Sequence, residues 1–240
     1  MAFLRARWRD LLMVNWPIPR EKLLPFVPAG CQLDSFEGKT YISLVAFLFE
    51  QTRVLGVSVP GYRHFEEVNL RFYVTHKTDS DEIRRGVVFL REYVPKKLIA
   101  LVAKKVYQEP YEVLPMSHES LIHDSGKRSL RYTLGNHWLS GTIDQSPNVL
   151  EVGSLEHFIA EHYWGYTKTK NGTRQYRVSH PPWRWHGVSD YQNRVDFGSL
   201  YGSEWSFLGE EAPECIFLAE GSEISVDPWG KLEASSGREL

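Results

Sequence analysis

The chain has 240 residues, 42% of them hydrophobic and 24% charged, proportions that support a sizeable buried core and exclude a disordered chain. With 28 Lys and Arg against 30 Asp and Glu its formal charge is −2, so no overall field draws it to nucleic acid or to an anionic membrane. The two cysteines, Cys31 and Cys215, are far apart and in no C-x-x-C spacing, which excludes a disulfide scaffold and a cysteine zinc knuckle and fits a reducing cytoplasm.

Near the start, Arg5, Arg7 and Arg9 precede a longest apolar stretch of only Leu11-Leu12-Met13-Val14, too short for a signal-peptide core or a membrane span. Phe3, Leu4, Trp8, Leu11 and Leu12 recur at helical spacing before Pro17 and Pro19, which predicts a short amphipathic helix. Residues 39–54 contain an almost continuous apolar run over 41–49, of strand-like length, so a central strand buried on both faces is expected. From 65 to 76 the residues alternate strictly: Val68, Leu70, Phe72 and Val74 on a core face, and Glu67, Asn69, Arg71 and Tyr73 on a polar one. A strand over 86–94 runs into a helix opened by Pro95 and continuing to 106.

Further strands are expected over 111–116, 129–134 and 137–143, with turn chemistry at Asp124-Ser125-Gly126-Lys127. Ser154 is placed to cap a helix over 155–163, and Asn171-Gly172 suits a turn between strands. There is no repeat, low-complexity tract or linker, so one domain over 1–225 is expected, followed by a flexible tail over 226–240. Strands outnumber helices and do not alternate with them, which gives an α+β class, mainly β, with an antiparallel sheet.

Trp8 with Asp10-Leu11-Leu12, Leu24-Pro25 with Pro28-Ala29-Gly30, and the run Phe65-Glu66-Glu67-Val68-Asn69-Leu70-Arg71-Phe72-Tyr73-Val74 stand in a fixed order. They are followed by Arg85-Gly86-Val87-Val88-Phe89, Glu109-Pro110-Tyr111, Ser154-Leu155-Glu156-His157-Phe158 and Val178-Ser179-His180-Pro181-Pro182-Trp183. Together these phrases resemble the YqjF-like family, a domain-of-unknown-function family numbered 2071 within the acetoacetate decarboxylase-like superfamily. The resemblance implies an antiparallel barrel or cone around a cavity, with a few peripheral helices, and carries no established activity. Val94-Pro95-Lys96-Lys97-Leu98 also resembles the active-site phrase of the decarboxylase itself, which implies Lys96 or Lys97 as nucleophile with Glu67 as its acidic partner.

A lysine attacks a keto acid only as the neutral amine, and adjacent ammonium groups at the positive end of a helix favour that form. Lys96 and Lys97 fit this description, and they equally fit solvated charges at an exposed helix start. If the polar face of 65–76 lines a cavity, Glu67 moves a proton and Arg71 holds a carboxylate, with Asn69 and Tyr73 beside them; if it faces water, all four are surface groups.

His157 and His162 are five apart, the wrong spacing for a helical metal pair, so no metal is expected there. His180 and Trp183 either line a substrate site or fill an aromatic corner. No phosphate loop, dinucleotide fingerprint or nucleophile elbow is present, and no cofactor is expected.

Two functions therefore stand side by side. One is a Schiff-base-forming lyase, of decarboxylase or aldolase type, acting on a small keto acid. The alternative is a non-catalytic protein that binds a small acidic or apolar molecule in the same cavity. A homo-oligomer would need an exposed apolar face; nucleic acid and membranes are not expected as partners.

Overall fold

The computed structural model describes residues 2–143 and 146–232. In chain order its strands are β1 (Leu4–Ile18), β2 (Gln32–Leu33), β3 (Thr40–Val54), β4 (Phe65–Lys77), β5 (Ile83–Val94), β6 (Tyr111–Val113), β7 (Met116–Ile122), β8 (Arg128–Leu134) and β9 (His137–Ile143). They continue with β10 (Asn148–Val149), β11 (Trp164–Thr169), β12 (Gly172–Ser179), β13 (Arg184–Arg194), β14 (Cys215–Ala219), β15 (Glu223–Val226) and β16 (Gly230–Lys231). The α-helices are α1 (Arg20–Leu23), α2 (Lys97–Val106), α3 (Leu155–Ala160) and α4 (Phe197–Tyr201). None of the described helices is long and apolar enough to cross a membrane.

Seven strands close a ring. β1 pairs with β3, β3 with β4 and β4 with β5, all antiparallel. β5 joins β11 in parallel at Trp164↔Gly86, β11 pairs with β12, β12 with β15, and β15 returns to β1 at Leu4↔Val226. Further along the same edge of β1, Leu11–Asn15 pair instead with β14, from which β13, β9, β8 and β7 extend as a second arm. The mainly β class holds, in the form of a closed-ring sheet whose antiparallel order is broken at the β5–β11 join.

The ring and the arm create two cores, which explains the sequence of β3. Its Ile42, Leu44 and Ala46 face the core between ring and arm, while Val45, Phe47 and Phe49 face the ring interior. Both faces are dry, so apolar residues run on without alternation. On β4 only Val68, Leu70, Phe72 and Val74 join the outer core, and the polar face turns into the ring.

The N-terminal segment corrects the sequence expectation: residues 4–18 form a strand, not an amphipathic helix. Ala6 and Trp8 are two apart on the inner face, then a bulge with Asp10 at φ 54 shifts the register, and Leu11 and Met13 continue the inner face. One inserted residue turns a period of two into an apparent period near three and a half. The helix expected over 155–163 also stops early, at Ala160, although Ser154 does cap it, accepting from the His157 amide at 3.1 Å. Within the expected tail, 226 closes β15 and 230–231 form β16, while 233–240 lie outside the described residues.

Candidate functional site

The ring encloses a cavity of about 270 Å³ to which every one of its seven strands contributes a side chain. Its wall is mostly apolar, with Leu11, Phe47, Phe49, Phe89 and Val178 among the lining residues. Helix α2 lies at the cavity with Leu98, Ile99, Val102 and Ala103 toward it and Lys104 and Lys105 exposed, an amphipathic division with helical spacing. This volume is near the lower end of the range for ligand pockets, which sets the scale of what fits as a small molecule.

One end of the cavity is acidic. Glu67 and Asn69 project from β4, Glu92 stands opposite Asn69 on β5, Glu109 precedes β6, and all four are buried. Tyr111 donates to Glu67 Oε2 at 2.9 Å, Asn69 Nδ2 donates to Glu67 Oε1 at 3.2 Å, and Tyr176 donates to Glu109. Glu92 is electrostatically coupled to both neighbouring carboxyls, and its Oε1 has no partner. Burial pushes Glu67 and Glu109 up to about 7, against the opposing hydrogen bonds from their tyrosines, and it drives Glu92 well above the carboxylate range, helped by the charges of Glu109 and Glu67. Three carboxyls so close and so dry cannot all ionise, so they share protons near neutrality.

The other polar groups of the lining are basic and aromatic. Arg71 reaches in from β4 with a buried, unpartnered Nε, and Trp8 presents an unpartnered Nε1 from β1. His162, whose side chain is 1% exposed, shares Asp34 with Arg85: its Nε2 lies 3.0 Å and Arg85 Nε 2.8 Å from Asp34 Oδ2. Burial lowers His162 to about 4 despite the hydrogen bond to Asp34. Burial would raise Asp34, but the hydrogen bonds from His162 and Arg85 outweigh it and hold the carboxyl low. Near neutrality, then, His162 is uncharged, Asp34 fixes the proton on Nε2, and Nδ1 is left as an unpartnered acceptor. His180 stacks on Trp183 with ring centres 3.9 Å apart, and burial lowers its pKa.

Of the residues singled out from the sequence, Glu67, Asn69, Arg71, His180 and Trp183 line the cavity together. Tyr73 shares their strand face, but its hydroxyl is 2.6 Å from Ser43 Oγ and its ring packs on Phe158 and His162, in the wall rather than at the surface of the cavity. Lys96 is the half-buried cap residue of α2 and Lys97 is exposed; neither is among the lining residues, which include no lysine. The extended backbone of Lys96, φ −113 and ψ 113, delays the helix start past Pro95 and carries the pair outside the ring. Sequence reasoning missed Glu92, Glu109, Tyr111, Tyr176 and the Asp34–His162 pair. The available signal was a single acid inside the apolar run of 86–94 and the Glu109-Pro110-Tyr111 phrase.

The closed β-ring has the acetoacetate decarboxylase-like fold. Similar solved structures are the enduracididine biosynthesis enzyme MppR complexed with the condensation product of pyruvate and imidazole 4-carboxaldehyde (12% identity, 98% of this chain and 92% of that one, TM-score 0.64) and acetoacetate decarboxylase from Legionella pneumophila (7% identity, 96% and 87%, TM-score 0.64). An acetoacetate decarboxylase-like enzyme from Sphingomonas wittichii is also similar (13% identity, 97% and 94%, TM-score 0.62). At these identities the likeness is one of fold.

Within that class the chain belongs to the family described as "Uncharacterized conserved protein (COG2071)", domain of unknown function 2071, whose model matches residues 5–223. It is 30% identical over 184 residues to the uncharacterized protein YqjF of Bacillus subtilis, covering 75% of this chain and 74% of that protein.

Proposed function

We propose that the protein binds a small organic molecule noncovalently in the ring cavity. One observation carries this reading: six buried polar atoms without partners, Trp8 Nε1, Thr52 Oγ1, Asn69 Oδ1, Arg71 Nε, Glu92 Oε1 and His162 Nδ1, all belong to residues lining this one cavity. An unpaired buried polar atom costs about 1–3 kcal/mol, so their concentration around an otherwise apolar space favours an occupant that satisfies them. The absence of lysine from the lining supports binding without a Schiff base, and the unpartnered guanidinium Nε of Arg71 suits a carboxylate or carbonyl oxygen.

The test is calorimetric titration with short alkyl carboxylates and with pyruvate and acetoacetate, paired with borohydride trapping and peptide mass spectrometry. Saturable binding that is lost when Ala103→Trp fills the cavity, with no reduced adduct, is the expected result. A single adduct on Lys96 or Lys97, removed by the corresponding Ala variant, would instead establish the lyase reading.

A further inference from the structure

The acidic end of the cavity is short of donors. Glu67, Glu92 and Glu109 each carry two oxygens, yet the donors other than their own shared protons are Asn69 Nδ2, Tyr111 Oη and Tyr176 Oη. Among the described residues no Lys or Arg forms an ion pair with any of the three. Asn69 adds an independent sign. Its Nδ2 is committed to Glu67, which orients the amide and leaves Oδ1, in a residue 1% exposed and lining the cavity, with nothing to accept from.

Glu92, equally buried and directly opposite on β5, presents Oε1 in the same condition. No metal-holding group of three or more His, Cys, Asp or Glu occurs among the described residues.

Further along the same face of β4, Arg71 has the reverse deficit, with its donor Nε unpartnered. Asn69 and Arg71 are two residues apart on one strand, a separation of about 7 Å between their backbones, and the rest of the cavity wall is mostly apolar. We infer that the ligand is bipolar: a short apolar body bearing an ammonium group that donates to Glu92 and Asn69 and a carboxylate that accepts from Arg71. A neutral or purely acidic ligand would satisfy one deficit and leave the other unmet. The inference rests on the cavity-binding reading and narrows it to a class of ligand.

Isothermal titration of the full chain with unbranched ω-amino carboxylates of increasing length, each against the alkyl carboxylate and alkylamine of equal length, tests it. At one length the amino carboxylate is expected to bind at least about tenfold more tightly than either single-ended probe. Glu92→Gln should reduce that advantage at least about tenfold, and Arg71→Met should weaken the carboxylates by a larger factor than the amines. Equal binding of amino and plain carboxylates at every length, or equal loss of both in Glu92→Gln, would overturn the bipolar ligand and leave the cavity reading standing, since binding would persist and still be blocked in Ala103→Trp. No binding by any probe would overturn both.

Discussion

Glu67 and His162 are buried ionisable groups that respond to pH in opposite directions. The Glu67 carboxyl is pushed up to about 7 by burial, so the folded state holds its proton where the unfolded chain has released it. Its contribution to stability is complete below the ordinary carboxyl range and is lost as pH rises through about 7. Glu67→Gln should therefore leave the thermal midpoint unchanged near pH 4 and raise stability by about 1–3 kcal/mol at pH 8. A pH-independent difference in a melting series would contradict this.

His162, depressed to about 4, behaves the other way: its neutral form stabilises the fold above its ordinary pKa, and that stability is lost as pH falls toward 4. His162→Gln should flatten the acid limb of the same series, and an unchanged acid limb would count against the buried neutral imidazole. Only part of this was legible in the sequence. Strict alternation put Glu67, Asn69 and Arg71 on one face, because a strand has a period of two whatever surrounds it. Glu92, Glu109 and His162 arrive from β5, a loop and the end of α3, and their meeting is a property of the closed ring.

At the level of elements, β1 shows how a local irregularity defeats a periodic reading. The bulge at Asp10 needs a positive φ, which aspartate tolerates better than most residues, and the side chain is held by Arg128 at 2.6 and 3.3 Å. The two contributions separate by substitution. Asp10→Gly keeps the backbone freely and loses only a partly exposed ion pair, for about 1 kcal/mol; Asp10→Val loses the pair and strains the bulge, for about 2–4 kcal/mol. Equal costs in denaturant titrations would remove the bulge from the account. Where no such irregularity occurs, as in β3, β4 and the Asn171-Gly172 hairpin, sequence pattern and structure agree closely.

For the whole molecule, ring closure depends on the parallel join between β5 and β11, where two glycines admit close packing. A methyl group on Gly86 would lie 2.6 Å from the Trp164 carbonyl oxygen, and one on Gly165 would lie 2.2 Å from the Tyr176 ring. Neither backbone has positive φ, so the demand is for space rather than conformation. Gly86→Ala should cost about 1–3 kcal/mol or more by forcing the strands apart. Gly165→Ala should in addition disturb Tyr176, the donor to Glu109, and weaken ligand affinity. Wild-type stability and binding in both variants would show that the join is not a closing element. A resemblance to a family supplied this architecture; periodicity alone gave strands without their order, since the pairing of distant strands leaves no mark on local pattern.

The pairing of Leu4 with Val226 also has a consequence in time. Two edges separated by more than two hundred residues must meet before the ring exists, and contacts of such long sequence separation form slowly. During synthesis the second arm can pair internally while the ring still gapes, because β7, β8 and β9 are consecutive hairpins. The cavity is thus enclosed only in a late step of the molecule's own assembly.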